Sequence, residues 1–485
     1  MTSAVNTAPN SDGKPAANHF PPQTKFILGN EACERFSFYG MKSILALYAL
    51  GVLGMSEDES TEIVHLFGAF VYLTPLLGAY LSDQIWGRYK TILWVSLLYC
   101  VGHATLAFSD FSPDLDFKKG CLFAGLAFIA LGAGGIKPCV SAFMGDQFKT
   151  GQDAALARAY AAFYWCINLG SLGSFLIIPW LKDSYGYGWA FGVPGIFMAI
   201  ATFVFWLGTP RYTHVPPARA DTSRSGFFKI FFYALTGAGR VKGEPFWAAA
   251  RRRFPAGEVA DVIGALRVLW VFLLIPPFFG LFDQTSSTWI FQGKKMTPLL
   301  IGTYEFGAEQ MQSANPAFVM LLIPLLTLAV YPFLGKWVSP LRRMGLGMFI
   351  AALSFVLVGW LQTRLEAGET LSLLWQLLPY LVLTVSEILV STTGLEFAYT
   401  QAPKSMKSII TSLWLLTMFV GNLLVVAITR IGGSDGGASG AEGAASAASS
   451  ERFFLYAGLM AATAVLFAVA TCFYKYRRED VANAG

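Results

Sequence analysis

Of the 485 residues, 55% are hydrophobic and only 13% are charged, and the formal net charge is +5. That balance excludes a soluble multidomain protein and fits a multi-pass membrane protein, in which the placement of the few charges matters more than their sum. The 41 Phe, 13 Trp and 19 Tyr suit interfacial belts and an aromatic-lined cavity, while Cys33, Cys100, Cys121, Cys139, Cys166 and Cys472 follow no metal or disulfide spacing.

Residues 1–24 are polar, lack an apolar core and read as a cytoplasmic tail, with no cleaved signal peptide. Twelve long apolar segments follow. Six run near 26–53, 60–82, 89–109, 120–144, 156–181 and 189–208, and six near 263–291, 315–335, 344–363, 371–399, 406–429 and 452–474. Each is long enough to cross a bilayer.

Segment one holds Glu31, Glu34, Arg35, Phe38, Tyr39 and Lys42 on one helical stripe about 140° wide, with Cys33, Phe36, Gly40, Ile44 and Leu47 on the other side. An ionised side chain at a bilayer centre costs about 2.5–3.5 kcal/mol, so Glu31, Glu34 and Arg35 facing lipid would cost about 8–10 kcal/mol together. They must face a polar interior and pair there.

Segment two carries His65, with Tyr72 seven residues on along the same face. His65 reads either as a hydrogen-bonded membrane histidine or as a proton site, since imidazole titrates near neutral pH. The loop after it, Gly78 to Lys90, places Asp83 and Arg88 as a cytoplasmic latch between neighbouring helices, with no contact to a transported solute. Segment four contains Gly134-Gly135-Ile136-Lys137-Pro138, whose small residues allow close packing and whose proline loosens the backbone. A lysine this deep needs an acid, and Glu387 of segment ten is the candidate. The pair is either permanent or one that breaks during a working cycle and grips a zwitterion. Segment five puts Tyr164 and Asn168 on one face at i, i+4. Segment seven carries Arg267 and Phe282-Asp283-Gln284, segment eight opens with Gln312 and Asn315, and segment eleven has Trp414.

Between segments six and seven, the polar stretch 209–262 carries Arg211, Arg219, Arg224, Lys229, Arg240, Lys242 and Arg251 to Arg253. Its one apolar piece, 227–235, is too short to span and predicts a helix lying on the membrane surface. Basic residues on the linker's side (Arg88, Lys90, Lys149, Arg342, Arg343) and acids on the other (Glu57, Asp58, Glu59, Asp110, Glu305, Glu309) place both termini in the cytoplasm. The expected architecture is an all-α membrane protein of twelve transmembrane helices in two six-helix bundles. A polar tail 1–24 precedes the bundle 25–208, a basic linker 209–262 joins it to the bundle 263–476, and a tail 477–485 ends the chain. The Gly78–Lys90 loop has a degenerate echo at 331–336 through Arg342 and Arg343, and the outer loop 432–450 is Gly/Ala/Ser-rich and expected to be flexible.

That loop resembles the loop motif of the major facilitator superfamily. Five further stretches together resemble one of its branches, the proton-dependent oligopeptide transporters. They are Glu31-x-x-Glu34-Arg35-Phe36-x-Phe38-Tyr39, Gly135 to Phe148, Phe163-Tyr164-x-x-Ile167-Asn168-x-Gly170, Phe282-Asp283-Gln284 and Gly394 to Pro403. The resemblance implies that Glu31, Glu34, Arg35 and His65 couple protons to peptide. It implies that Arg35, Lys137 and Asn168 meet the peptide carboxylate and that Asn315 and Glu387 meet its amino group. Tyr39, Tyr72, Tyr164 and Trp414 would line side-chain pockets, and Lys42–Asp283 and Lys137–Glu387 would gate the two faces. Phe38 departs from the family's tyrosine, Lys42 from the commoner arginine and Phe279 from a pocket tryptophan of animal members. Thr327 stands where those members have an acid for the equivalent of Arg267.

The function so implied is symport of protons with di- and tripeptides by alternating access in the inner cell membrane, by a monomer with no cofactor, no metal and no nucleic-acid partner. The alternative is the same machinery moving nitrate or another small non-peptide solute, against which Glu387 argues, since an anion has no amino group to pair. No HExxH or GxSxG motif suggests an enzyme.

Overall fold

The structure is a computed structural model and describes residues 19–217, 226–237, 239, 241, 243–330, 339–403, 406–434, 446–474 and 476. Ten of its helices are long and apolar enough to cross a membrane, or eleven when one broken pair is counted as a single span. The ten coincide with segments two to six and eight to twelve. The broken pair, Ala256–Phe272 with Pro276–Lys294, is segment seven, interrupted ahead of Pro276 and Pro277, which remove backbone donors. The helix of segment one, Thr24–Gly51, has 28 residues, and its charges rather than its length set it apart from the others. The loop echo at 331–336 and most of 432–450 lie outside the described residues.

Two compact units divide the chain. The first comprises Met1–Ala218 together with Ser286–Leu321, and the second Arg219–Thr285 with Leu322–Gly485. In the first unit, segment one is buried on nearly every side. Glycines let neighbours approach it: a Cβ at Gly170 would stand 2.5 Å from the Ala32 carbonyl oxygen, and one at Gly40 would stand 2.7 Å from Ile178. Phe36 stacks on Phe197 at 4.0 Å. Segments two and four cross as closely, since a Cβ at Gly78 would stand 2.5 Å from Gly135 Cα.

Local sequence sets the helix ends. Ser56 and Glu59 form a reciprocal capping box at the start of Glu57–Leu73. Gly87 at φ +77° and Gly186 at φ +85° supply the left-handed turns that join segments two to three and five to six. Among the described residues, three membrane helices widen into π-helical turns, at Leu81–Trp86, Leu326–Val330 and Ile388–Thr392. The last begins immediately after Glu387.

Segments seven and eight are joined by an antiparallel hairpin, Leu299–Ile301 with Tyr304–Phe306, an exception to the all-α expectation. Gly302 at φ +64° makes its two-residue turn possible. In the linker, the helix Phe227–Thr236 buries Phe227, Ile230 and Ala234 and exposes Phe228, Phe232 and Leu235. Nearby, hydrogen bonds from the Arg252 fork, then from Val241 N–H, hold the Glu244 carboxyl down to about 2.

Candidate functional site

The charged stripe of segment one closes on itself. Arg35 Nε lies 2.6 Å from Glu31 Oε1 and 3.2 Å from Glu34 Oε2. Glu31 and Glu34 are 0% exposed and Arg35 is 9% exposed. Two carboxylates against one guanidinium leave a buried excess of acid, so a proton or a further cation is needed to balance the group. Lys137 of the helix Leu115–Gly145 supplies part of that field at Glu34. Its ammonium lies 4.2 Å from the Phe38 ring centroid and 5.0 Å from that of Tyr72. Phe38, the departure from the family's tyrosine, thus offers Lys137 a π face.

Tyr39 packs against Phe175 at 5.6 Å. Asn168 Nδ2 donates to the Tyr164 carbonyl at 2.9 Å, which fixes the amide one turn from the half-exposed Tyr164 ring. Arg35, Tyr39, Tyr72, Lys137, Tyr164 and Asn168 therefore all belong to the first unit, as does Asn315.

His65 is fully buried, and its Nε2 lies 3.0 Å from Ser287 Oγ. Ser287 belongs to the stretch Ser286–Leu321, which sequence places with the second six segments and which packs here within the first unit. The same stretch is held by Lys182–Glu309, by Gln310 Nε2 donating to the Leu176 carbonyl at 2.9 Å, and by Lys295–Glu57 at 3.3 Å. A polar cavity of about 290 Å³ beside Lys182 and Glu309 is lined also by Asp183, Lys294, Tyr304 and Glu305. Sequence reading missed Ser287 and Lys182. Both sit among ordinary loop-end residues, and nothing in their spacing marks the partner.

In the second unit, Trp414 packs edge-on to Phe279 at 5.5 Å and to Phe272 at 5.2 Å, against Gly394, where no side chain would fit. Asp283 Oδ2 accepts from Asn422 Nδ2 at 2.8 Å, a partner the sequence did not suggest. Glu387 is half-buried at the end of Leu377–Glu387. Arg267, for which Thr327 offers no charge, is exposed, and its field reaches Tyr474. Lys42, 7% exposed, lies in the first unit and Asp283 in the second.

The latch expected of Asp83 and Arg88 draws on a further acid. Arg88 Nη1 pairs with Asp146, at 2.5 and 2.6 Å from its two carboxylate oxygens, rather than with Asp83. Asp83 accepts from Ser82 Oγ at 3.2 Å and contributes only its field at Arg88. Asp83 lies within the π-helical turn Leu81–Trp86 that precedes Gly87, while Asp146 caps the end of the neighbouring helix.

A family model described as the POT family matches residues 89–432. The chain is 38% identical over 367 residues to solute carrier family 15 member 2 of Rattus norvegicus, covering 72% of this chain and 50% of that protein. It is 37% identical over 368 residues to peptide transporter 3 of Caenorhabditis elegans, covering 73% and 52%. It thus spans about half the length of these relatives. Among solved structures, an auto-inhibited POT family peptide transporter matches with TM-score 0.83 at 37% identity, over 94% of this chain and 98% of that one.

Proposed function

Because the chain belongs to the POT family, we propose that it is a proton-coupled symporter that imports di- and tripeptides by alternating access. The observation that carries this reading is the buried Glu31–Arg35–Glu34 group with Lys137 beside it. Protonation of the carboxylates releases Arg35 to meet a peptide carboxylate, so proton and cargo bind together. His65 and Ser287 extend that coupling to the stretch Ser286–Leu321, which belongs to the first unit. Segment one counts as the twelfth crossing, with both termini cytoplasmic and the protein a monomer in the inner cell membrane.

Peptide binding divides by charge. Arg35, Lys137 and Asn168 take the carboxylate end, Asn315 and Glu387 the amino end, and Tyr39, Tyr72, Tyr164, Phe279 and Trp414 the side chains. Lys42–Asp283 and Lys137–Glu387 serve as gating pairs that form and part in turn. Reconstituted vesicles test this directly. Labelled dipeptide should accumulate only under an inward acid gradient, with competition by tripeptides and none by nitrate. Competition by nitrate alone would replace peptide with an anion as cargo.

A further inference from the structure

Segment three meets the Glu34 side of segment one with polar groups that this transport reading leaves unused. Glu34 and Ser37 are one turn apart on segment one, and Tyr99 and His103 one turn apart on segment three. All four are 0% exposed. Ser37 Oγ lies 2.8 Å from His103 Nε2, and the imidazole stacks on the Tyr99 ring at 5.2 Å. The charges of Glu34 and Arg35 act at the Tyr99 hydroxyl. Among the described residues, neither that hydroxyl nor either Glu34 oxygen closes a hydrogen bond. Among the described residues, His103 Nδ1 likewise closes no hydrogen bond. With the ring proton on Nδ1, Nε2 accepts from Ser37 Oγ, and this is the tautomer the relay uses.

A buried group that changes protonation needs a partner in both states. Ionised Glu34 has Arg35. Protonated Glu34 gains an O–H that needs an acceptor. We infer that Tyr99, Ser37 and His103 form a hydroxyl relay that receives this O–H and holds Glu34 in its protonated form. Glu34 donates to the Tyr99 oxygen, Tyr99 to Ser37 Oγ, and Ser37 to His103 Nε2. Hydroxyls rotate and no proton leaves the chain of donors. Tyr99 and His103 are then positioning residues for the coupling step, and the inference rests on Glu34 being a proton site.

The charged groups facing Glu34 are Arg35, Glu31 and Lys137, while Cys100 flanks Tyr99. On the far side of His103, Phe191 and Gly195 bring no ionisable side chain. Glu31 Oε1 already accepts from Arg35, so its Oε2 is the rival acceptor.

The test is dipeptide uptake by full-length protein in vesicles as a function of external pH, with dipeptide exchange at equal pH as the control for folding. His103→Leu should move the midpoint of proton-driven uptake to lower pH by up to about one unit, a tenfold higher proton concentration, as loss of one buried hydrogen bond allows. Exchange should persist. His103→Gln, whose Oε1 can accept from Ser37, should restore the midpoint, a recovery that packing alone does not explain. Tyr99→Phe combined with His103→Leu should shift no further than Tyr99→Phe alone. An unmoved midpoint in His103→Leu, or equal shifts for leucine and glutamine, would overturn the relay and hand the proton's hydrogen bond to Glu31. If the leucine variant also loses exchange, Ser37→Ala carries the same test, and its unmoved midpoint has the same meaning. Wild-type uptake that ignores pH would remove the coupling reading itself rather than the relay.

Discussion

The ammonium of Lys137 lies 4.2 Å from the centroid of the Phe38 ring. The residue that breaks the family's tyrosine pattern is thus in contact with the lysine whose field reaches Glu34. Its aromatic face lies within cation–π reach of that ammonium.

Phe38→Leu removes the π face while leaving an apolar side chain. A cation over an aromatic ring contributes about 0.5–2 kcal/mol, so the dipeptide KM should rise about 2- to 30-fold. Phe38→Tyr keeps the face and should stay near wild type. Identical uptake curves for the leucine and tyrosine variants would show that the ring has no part in placing Lys137.

Glu34→Gln fixes the side chain in a neutral form. Accumulation of dipeptide against its gradient should disappear under an acid gradient, while exchange between equal pools continues. Wild-type accumulation in this variant would take Glu34 out of proton coupling.

Lys182 and Glu309 pair with side chains 10% and 3% exposed. Removing one partner of so buried a pair costs about 3–5 kcal/mol. Lys182→Ala should therefore loosen the stretch Ser286–Leu321, read as faster labelling of a cysteine placed at Met311 by an impermeant maleimide. The exchanged pair, Lys182→Glu with Glu309→Lys, should slow labelling again. Fast labelling in the exchanged pair would mean that packing rather than charge holds the stretch.

Gly78 stands where a Cβ would meet the Gly135 backbone at 2.5 Å. Gly78→Val must push segments two and four apart, and overpacking of this kind costs about 1–3 kcal/mol. Thermal unfolding in detergent should show a lower midpoint than wild type. Gly458, which has open space around its missing side chain, should tolerate alanine.

The ion cluster of segment one was legible because it is local: a 3.6-residue repeat brings Glu31, Glu34 and Arg35 together whatever surrounds them. Tyr164 over Asn168 was legible for the same reason. Partners from distant segments were not. Arg88 finds Asp146 and His65 finds Ser287 only once helices have crossed, and hydropathy says which residues are inside but not which ones meet. The break in segment seven could be anticipated from Pro276 and Pro277, but the hairpin at 299–306 could not, because its strands are too short for alternation to register.

The widened turn that follows Glu387 carries one surplus residue in its helical circuit. Such a surplus can migrate along the rod without unravelling it, and each one-position step rotates the residues it passes by about 100°. The acid at the mouth of Ile388–Thr392 therefore stands where the circuit of segment ten changes, so the residues before and after it present faces offset by that surplus.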